Sequence, residues 1–548
     1  MISSSPLACF LKWEKEIPDQ LFLRQPVNGI WTQWSWAQAG EEARKIANGL
    51  KSLGLPEKSH VALLSKNCAE WIICDIAIMM AGYISIPIYP TLTAISIKPI
   101  LEHSDSKVIL LGKLDDYKSQ MDGIPAGIIK ISMERYNISE DISLENILAQ
   151  QKPLQEIYNW QPEDILTIIY TSGTTGKSKG VMHGVVAFDA VLNAAIKDLA
   201  LPQRPVLFSY LPLSHIAERM GIEMNALYTG GNISFAESLE QFPKNLAETQ
   251  PQIFFAVPRI WAKFREKILQ KLPQKKLNLL LSIPIIRGMI KKKIRKNLGL
   301  ANATHIYSAA APLSLDIMLW FDKLGITICQ GFGMTEDCVY SHYCSPHANK
   351  YGTVGKALSG VEVKISEDGE IRKKTAGDMK GYYKEPEMTA ETFDAEGYLK
   401  TGDIGEYDKD GYLLITGRVK DIFKTDKGKY ISPAPIELQL LTGTDIEQVC
   451  VVGTGVPQPM ALVILSESGK TKSKEEIAQT FSGLLSVINP TLEKFEMLEK
   501  IVIMKDNWTI ANGLITPTMK VKRNEIERMH LPKYPAWFEE KEKIVWEK

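Results

Sequence analysis

A segment rich in glycine, hydroxyl groups and positive charge directly follows an apolar run. It reads Tyr170-Thr-Ser-Gly-Thr-Thr-Gly-Lys-Ser-Lys-Gly-Val181. Its glycines are Gly173, Gly176 and Gly180, its hydroxyl donors Thr171, Ser172, Thr174 and Thr175, and its cations Lys177 and Lys179. Glycines let the backbone turn tightly and approach an anion closely, while hydroxyl and ammonium groups bind it. We therefore predict a polyphosphate-binding loop between a strand and a helix.

The loop differs from the Walker A motif. That motif needs a glycine five positions before the glycine of Gly-Lys-Ser, and Thr171 stands five positions before Gly176. The alternative is a plain surface turn, which has no need for so many hydroxyl groups. A polyphosphate site of another class is the better interpretation.

The segment resembles the loop Thr-Ser-Gly-Thr-Thr-Gly-x-Pro-Lys-Gly of the adenylate-forming superfamily. That superfamily includes acyl-CoA synthetases, luciferases and nonribosomal peptide adenylation domains. Ser178 stands where the family usually has proline, and every donor is kept. Further family motifs follow in the family's order over about residues 30–525, and several resemble the long-chain fatty acid–CoA ligase branch. One stretch departs from the family's sequence pattern, because the segment from Ile371 to Asp378 lacks the usual Arg-Gly-Pro.

Two segments resemble the family's adenine and magnesium motifs. Ser308-Ala-Ala-Ala-Pro-Leu313 resembles the small-residue stretch along adenine, which indicates Ala310 and Ala311. The second motif implies nucleotide contacts from Gln330, Gly331, Phe332, Gly333, Met334 and Thr335. Phe332, where the family usually has tyrosine, would stack on the base, and Thr335 would contact phosphate. Glu336 would bind Mg²⁺ together with Thr171, because a hard cation that bridges phosphates prefers carboxylate and hydroxyl oxygens.

The last motifs resemble the family's ribose clamp, hinge and catalytic lysine. In Thr401-Gly-Asp403 the resemblance implies that Asp403 accepts hydrogen bonds from both ribose hydroxyls. In Gly417-Arg-Val-Lys-Asp421, Arg418 would reach the ribose and Lys420 would lie at the pivot. Lys427 and Gly428 begin a loop that in relatives turns toward the thiol site. Asn512 to Arg523 resembles the C-terminal segment of the long-chain branch, which makes Lys520 the catalytic lysine.

Two aromatic residues are candidates for the acyl pocket. His215 lies in Leu211-Pro-Leu-Ser-His-Ile-Ala-Glu-Arg219, which resembles the family segment whose histidine lines that pocket. Trp261 lies in Val257-Pro-Arg-Ile-Trp261, which resembles a long-chain segment whose aromatic residue gates the acyl tunnel. For His215 the other possibilities are direct catalysis and a structural role, and for Trp261 the alternative is packing in the core.

The resemblance implies a two-step ligase. A carboxylate, medium- or long-chain fatty in this branch, attacks ATP to give acyl-AMP and pyrophosphate, and the acyl group then passes to coenzyme A. Two anions meet in the first step, so positive charge and donors must be in place beforehand. Open alternatives are transfer to an acyl carrier protein, a ligase that stops at acyl-AMP, and an inactive nucleotide-binding scaffold. Chain length, pathway and oligomeric state are left open.

The elements that must position these residues form one large region and one small region. Up to about residue 335, apolar runs such as Val61–Leu64, Val108–Leu111 and Ile326–Cys329 alternate with stretches of helical spacing. Such alternation is typical of parallel sheets covered on both faces. We predict an α/β protein: residues 1–417 form two doubly wound βα subdomains and a small β-barrel-like region, and residues 418–548 a small mobile α+β domain hinged near 418–421.

The composition limits the possible classes of binding partner and the possible cellular compartment. Among 548 residues, 64 Lys and Arg balance 64 Asp and Glu, which argues against a nucleic-acid binder. The seven cysteines are scattered, odd in number and without a Cys-x-x-Cys pair, so a reducing compartment fits best. No apolar run reaches the length of a membrane span, and a cytoplasmic location is expected.

One segment qualifies that expectation. Leu277 to Ile286 is apolar and leads into the basic cluster Lys291-Lys-Lys-Ile-Arg-Lys296. Such a combination can rest on an anionic bilayer, as a peripheral membrane contact, or can suit an acidic carrier protein. The alternative is a helix packed by one face, with its basic face in water.

Overall fold

A computed structural model of the chain describes residues 5–172, 178–443, 445–516 and 519–548, with the side chain of Ser172 left out. The strands in chain order are β1 (Leu21–Val27), β2 (Ile30–Ser35), β3 (His60–Leu64), β4 (Ile84–Ile88), β5 (Val108–Leu111), β6 (Ile129–Ser132), β7 (Ile142–Ser143), β8 (Ile165–Ser172), β9 (Ser178–Gly184), β10 (Val206–Ser209), β11 (Asn232–Phe235), β12 (Ile253–Ala256), β13 (His305–Ser308), β14 (Cys329–Phe332), β15 (His342–Tyr343), β16 (Lys356–Ala357), β17 (Glu362–Ile365), β18 (Glu370–Lys374), β19 (Gly381–Tyr382), β20 (Leu399–Tyr407), β21 (Leu413–Arg418), β22 (Phe423–Lys424), β23 (Tyr430–Ile431), β24 (Ile446–Val452), β25 (Met460–Leu465), β26 (Lys500–Ile503) and β27 (Ile544–Trp546).

The helices follow the stretches of helical spacing. In chain order they are α1 (Pro6–Glu16), α2 (Trp36–Ser52), α3 (Ala69–Ala81), α4 (Ala94–His103), α5 (Tyr117–Gln120), α6 (Leu144–Gln150), α7 (Val185–Asp198), α8 (Ile216–Glu218), α9 (Asn225–Thr229), α10 (Phe242–Thr249), α11 (Pro258–Lys271), α12 (Gln274–Ser282), α13 (Pro284–Asn297), α14 (Leu315–Lys323), α15 (Pro386–Thr392), α16 (Pro433–Leu440), α17 (Glu467–Lys470), α18 (Lys474–Ile488), α19 (Arg523–His530) and α20 (Tyr534–Glu539).

Two large, mostly parallel sheets form the body of the fold. One has the order β19-β9-β8-β4-β3-β5-β6-β7, and the other β16-β15-β14-β13-β12-β10-β11-β1-β2. Strands β4 and β5 are buried along their whole length, as expected for parallel strands covered on both faces. Antiparallel strands close the edges, where β8 pairs with β9 and β14 with β15. The predicted α/β class is confirmed.

Helix α3 lies entirely inside this body. Every residue from Ala69 to Ala81 is buried, which a helix that is apolar on all sides requires. Its one aspartate, Asp75, accepts a 2.5 Å hydrogen bond from the buried Arg219. An ion pair satisfies two charges that would otherwise be costly to bury.

The rest of the chain forms smaller sheets. The region predicted to be barrel-like is a four-stranded antiparallel sheet, β17-β18-β20-β21. The last part is an α+β unit around the sheet β24-β25-β26-β27. The clusters of buried apolar side chains in the two parts of the chain share no member: the last buried member of the first part is Leu413, at the start of β21, and the first of the second part is Phe423, in β22.

Two local predictions are wrong. The glycine-rich loop does not lie between a strand and a helix, because β9 follows it. Strand β9 pairs antiparallel with β8, with Ser178 opposite Ser172 and Gly184 opposite Ile165. The strand expected over Ile326–Cys329 begins only at Cys329. Ile326 and Ile328 precede the strand. Their apolar side chains are buried in a hydrophobic cluster, which accounts for the apolar run.

Candidate active site

A carboxylate, a phenol and an ammonium group meet near the ends of β8, β9 and β14. Tyr382 Oη donates a hydrogen bond of 2.8 Å to Oε1 of Glu336. Lys179 Nζ lies 4.8 Å from the centroid of the Tyr382 ring, and Lys179 pairs with Thr171 across β8 and β9. Tyr382 thereby brings the predicted residues Thr171, Lys179 and Glu336 into one neighbourhood, although no sequence motif assigned it a role.

Backbone contacts hold the turn that carries Glu336. The amide of Met379 donates to the carbonyl oxygen of Glu336 at 2.7 Å, and Nε2 of His183 lies 2.7 Å from the carbonyl oxygen of Thr335. Burial lowers the pKa of His183 to about 4, so its ring is neutral near pH 7. A carbonyl oxygen only accepts, and Nε2 therefore carries the proton of this bond.

The segment from Gln330 to Met334 combines glycines, an aromatic ring and an unsatisfied amide oxygen. A Cβ on Gly331 would lie 2.3 Å from the Tyr343 ring, and one on Gly333 would lie 2.5 Å from the Val339 backbone, so both positions require glycine. Buried Oε1 of Gln330 accepts no hydrogen bond from the described residues. An orphaned acceptor beside a half-buried Phe332 ring fits a flat, hydrogen-bonding ligand such as a nucleobase.

Ala310 and Ala311 lie just after β13, beside this segment. Ser308 of β13 pairs with Gln330 of β14, so both loops leave the same edge of the parallel sheet. Ala310 has a φ of +73°, a left-handed conformation that is strained for a residue with a side chain and is concentrated at functional sites. The small-residue stretch and the predicted stacking residue are thus neighbours.

Asp403 and Arg418 form an ion pair across β20 and β21. They are register partners, and Nε of Arg418 donates to Oδ1 of Asp403 at 2.6 Å. The charge of Asp403 raises the pKa of Arg418. Arg418 is half exposed, so solvent screens much of this interaction, and the pair is better suited to orienting ligand hydroxyl groups than to stabilising the fold.

Lys520 lies in a loop that faces these groups. Its amide donates to Oγ1 of Thr516 at 3.0 Å, and its side chain is exposed. Dense protein around the ammonium group and the charge of Arg418 lower the pKa of Lys520 to about 8, against the opposing effect of Asp403 and Glu336. Lys520, Arg418, Asp403 and Glu336 therefore form one electrostatic cluster.

His215 faces the same loop from the large region. Burial and the charge of Lys520 lower the pKa of His215 to about 3, so the imidazole is neutral. Its Nδ1 accepts a hydrogen bond of 3.1 Å from the amide of Ala217, which leaves the proton on Nε2. His215 can donate a hydrogen bond to a bound ligand but is poorly placed to act as a base.

The Lys520 loop is also held by the start of α11. Nη1 of Arg259 lies 3.6 Å from Sδ of Met519, and Arg259 also forms an ion pair with Glu447. Trp261, two residues further, is fully buried and packs edge-on against Phe254 and Phe321 at 5.7 and 5.2 Å. The structure therefore favours the core interpretation of Trp261 over a gating role.

The stretch from Ile371 to Asp378, which departs from the family pattern, contains a buried lysine near Phe332. Lys373 is fully buried and lies in ion-pair contact with the equally buried Asp337. Its Nζ is 5.6 Å from the centroid of the Phe332 ring. Burial lowers the pKa of Lys373, while the charges of Asp378, Glu336 and Asp403 oppose that shift. Its charge is therefore part of the environment of Glu336 and Asp403.

The remaining predicted residues lie in three other segments of the chain. Gly173, Thr174, Thr175 and Gly176 lie outside the described residues, as does the side chain of Ser172. Lys427 and Gly428 form the turn between β22 and β23. Among the described residues, their backbone forms no hydrogen bond with Lys520. Lys420 lies in the exposed turn Val419–Asp421 after β21.

Thr171 and Glu336 are chemically suited to magnesium. Their hydroxyl and carboxylate oxygens are the hard donors this cation prefers. In the part of the chain that is described, no three His, Cys, Asp or Glu side chains are grouped closely enough to hold a metal. A magnesium ion held by Glu336 and Thr171 would thus complete its coordination with phosphate or water oxygens, which is usual for this metal.

Comparison with known proteins finds matching family models and relatives over most of the chain. The AMP-binding enzyme family matches residues 10–383, and the AMP-binding enzyme C-terminal domain matches residues 420–532. The long-chain-fatty-acid–CoA ligase FadD15 of Mycobacterium bovis is 26% identical over 95% of this chain and 94% of its own. The long-chain-fatty-acid–CoA ligase ACSBG2 of Xenopus laevis is 28% identical over 95% and 82%. The crystal structure of the anthranilate CoA ligase AuaEII with anthranoyl-AMP has a TM-score of 0.79 at 20% identity, covering 96% and 98%.

Proposed function

The chain belongs to the AMP-binding enzyme family, and from that premise we propose that it is an ATP-dependent acyl-CoA synthetase acting on a medium- or long-chain fatty acid. The observation that carries the proposal is that the ion pair of Arg418 with Asp403 and the carboxylate of Glu336 act electrostatically on Lys520. Two relatives that match nearly the whole chain are named long-chain-fatty-acid–CoA ligases. A structural neighbour of the same fold binds an acyl-adenylate.

In the first step an oxygen of the fatty carboxylate attacks the α-phosphorus of ATP. The new C–O–P linkage gives acyl-AMP, and the bond to the bridging oxygen breaks to release pyrophosphate. The ammonium group of Lys520 and the guanidinium group of Arg418 offset the accumulating negative charge. Asp403 accepts from the ribose hydroxyls, and Phe332 stacks on the base. Magnesium, held by Glu336 and Thr171, would neutralise phosphate charge.

In the second step a thiolate sulfur attacks the acyl carbonyl carbon. The C–S bond forms, the bond between the carbonyl carbon and the AMP oxygen breaks, and the thiol proton passes to solvent. All seven cysteines of the chain are buried and free of disulfides. Burial raises the pKa of Cys68 and of Cys450 to about 12, so neither offers a reactive thiolate, and the other five cysteines are buried as well. These facts support an external thiol, which we propose is coenzyme A.

We assign the two steps to two arrangements of two domains, residues 1–417 and 418–548, joined by a hinge at 418–421. Support comes from the separate buried clusters, which end with Leu413 and begin again with Phe423. Lys420 lies in the exposed turn between them. In the arrangement described here, Lys520 faces Arg418 and Asp403, which we propose bind the nucleotide. A rotation at the hinge would withdraw Lys520 and bring Lys427 and Gly428 toward the thiol.

The proposal is tested by pyrophosphate release from ATP over a series of carboxylic acids, with and without coenzyme A. Continuous release that needs both a fatty acid and coenzyme A is expected, and the series gives the preferred chain length. Release that stops at one equivalent per enzyme with coenzyme A, and continues with an acyl carrier protein, would identify a different acceptor. No release with any acid would favour a nucleotide-binding scaffold.

A further inference from the structure

The cations of this chain are unevenly distributed. Its Lys and Arg balance its Asp and Glu overall, yet between Glu266 and Asp316 there is no acidic residue. The cations of that stretch are Lys267, Lys271, Lys275, Lys276, Arg287, Lys291, Lys292, Lys293, Arg295 and Lys296. Such a concentration of one sign produces a local positive potential in a protein without net charge.

Helix α13 divides into two distinct faces. Ile290, Ile294 and Leu298 follow one another at a spacing of four and pack against a buried apolar cluster. On the other side, Ile285, Met289, Lys292 and Lys296 follow a spacing of four, three and four, so they share the outward face. None of the four is buried, and the face changes along the helix from aliphatic to cationic.

The aliphatic part of that face continues into α12. Leu279 of α12 is 63% exposed, and Ile285 and Met289 of α13 are 82% and 68% exposed. Ile283, between the two helices, is exposed as well. These side chains occupy the corner where α12 meets α13, between Lys275 and Lys276 on one side and the cluster 291–296 on the other. A contiguous exposed apolar group of this kind marks an interaction site.

We propose that this α12–α13 corner docks on the surface of an anionic lipid bilayer. Leu279, Ile285 and Met289 would enter the headgroup region, while the flanking lysines contact lipid phosphates. An acidic protein would also attract the lysines, but charge attraction alone does not explain the exposed aliphatic side chains of the corner. No helix among the described residues could cross a bilayer, and the contact is interfacial.

The corner is connected to the candidate active site by α11. That helix begins next to the Lys520 loop, where Arg259 contacts Met519 and Glu447, and it ends at Lys271, just before α12. Its 14 residues span about 21 Å at about 1.5 Å per residue. If the proposed function holds, the corner places the candidate active site near the membrane in which a long-chain substrate dissolves.

The test is partition of the whole protein onto phosphatidylcholine vesicles with and without phosphatidylglycerol, measured by co-sedimentation without ATP or fatty acid. This readout is independent of catalysis, so its failure and that of the proposed function are distinguishable. Two variants alter the corner: Ile285→Ser with Met289→Ser, and Lys292, Lys293 and Lys296→Gln. Matched controls are Ile95→Ser with Val487→Ser, which are 86% and 69% exposed, and Lys409, Lys541 and Lys543→Gln, all exposed.

We expect salt-sensitive binding to the anionic vesicles only. The lysine variant should bind about a hundredfold more weakly, at about fivefold for each charge. The aliphatic variant should bind about tenfold more weakly, and both controls should bind like the wild type. Equal binding by all variants, equal binding to both vesicle types, or binding to an acidic carrier protein without vesicle binding would overturn the proposal.

Hydrogen–deuterium exchange of the wild-type protein supplies a test that needs no substitution. Anionic vesicles should protect the backbone over residues 275–296. Protection confined to another surface would overturn the proposal even if vesicle binding itself were found.

Discussion

The phenol of Tyr382 and the carboxylate of Glu336 are joined by a hydrogen bond of 2.8 Å. Strand β19 makes this contact because Tyr382 pairs with Val181 of β9, at the same sheet edge as Lys179. The bond occupies Oε1 and fixes the orientation of the carboxylate that we propose as the magnesium ligand. Partners that orient a metal ligand commonly matter nearly as much as the ligand itself.

Replacement of Tyr382 with phenylalanine should therefore weaken the use of magnesium–ATP. A hydrogen bond to a charged group contributes about 1.5–3 kcal/mol, so kcat/KM for ATP should fall by about tenfold to a hundredfold. The measurement is pyrophosphate release as a function of ATP and magnesium concentrations. Tyr383→Phe is the matched control, since that hydroxyl donates at 2.9 Å to Asp105 at the surface. Equal effects of the two substitutions would refute the role of Tyr382.

Lys520→Ala should separate the two proposed steps. Loss of the ammonium group should raise the adenylation barrier by about 3 kcal/mol or more, by comparison with the removal of a preorganised donor. Thioester formation from supplied acyl-AMP and coenzyme A should be spared, because the hinge rotation withdraws Lys520 in that step. Each half-reaction is assayed separately, with Lys522→Ala as the neighbouring control. Equal loss of both half-reactions would argue against the two-arrangement scheme.

The pH dependence of adenylation should report the ionisation of Lys520. The dense protein around Lys520 and the charge of Arg418 lower the pKa of its ammonium group to about 8, so the cation is present below that pH and is lost as the pH rises through it. Because kcat/KM reports the free enzyme, it should fall above about pH 8. Lys520→Arg, which stays charged, should be slower but lack this fall. The same fall in both proteins would assign it to another group.

The buried pair of Lys373 and Asp337 should be sensitive to the loss of one partner. Lys373→Met leaves the Asp337 carboxylate buried without its cation, which should reduce the free energy of unfolding by about 3–5 kcal/mol. Combining it with Asp337→Asn should restore much of that loss, because the amide oxygen can still accept the 2.8 Å bond from the Met334 amide. Denaturant unfolding measures this, with the exposed Lys374→Met as control. A single variant as stable as the wild type would contradict the ion pair.

Much of the central fold follows from local patterns. The continuous apolar runs at Val61 and Val108 form β3 and β5, and the mostly apolar stretch from Ala69 to Ala81 forms α3. These elements are predictable because burial on both faces leaves an uninterrupted apolar sequence. The sequence was less informative at β9, where Ser178 and Lys179 read as loop residues although they pair with Ser172 and Thr171.

The candidate site was predictable in its motifs and not in its contacts. Motifs indicated Glu336, Asp403, Arg418 and Lys520, which the structure brings into one cluster. Tyr382 lies 46 residues from Glu336, and their contact depends on how β19 pairs with β9, which no local pattern encodes. The sequence assigned no role to Lys373, because its burial and its pairing with Asp337 appear only in three dimensions.

The most direct measurement of the proposed function is product analysis of the wild-type protein with ATP, magnesium, coenzyme A and fatty acids of increasing chain length. Mass spectrometry should find fatty acyl-CoA and AMP in equal amounts, with pyrophosphate and without ADP. Formation of ADP, or turnover of ATP without any acyl-CoA in the presence of the thiol, would contradict the assignment.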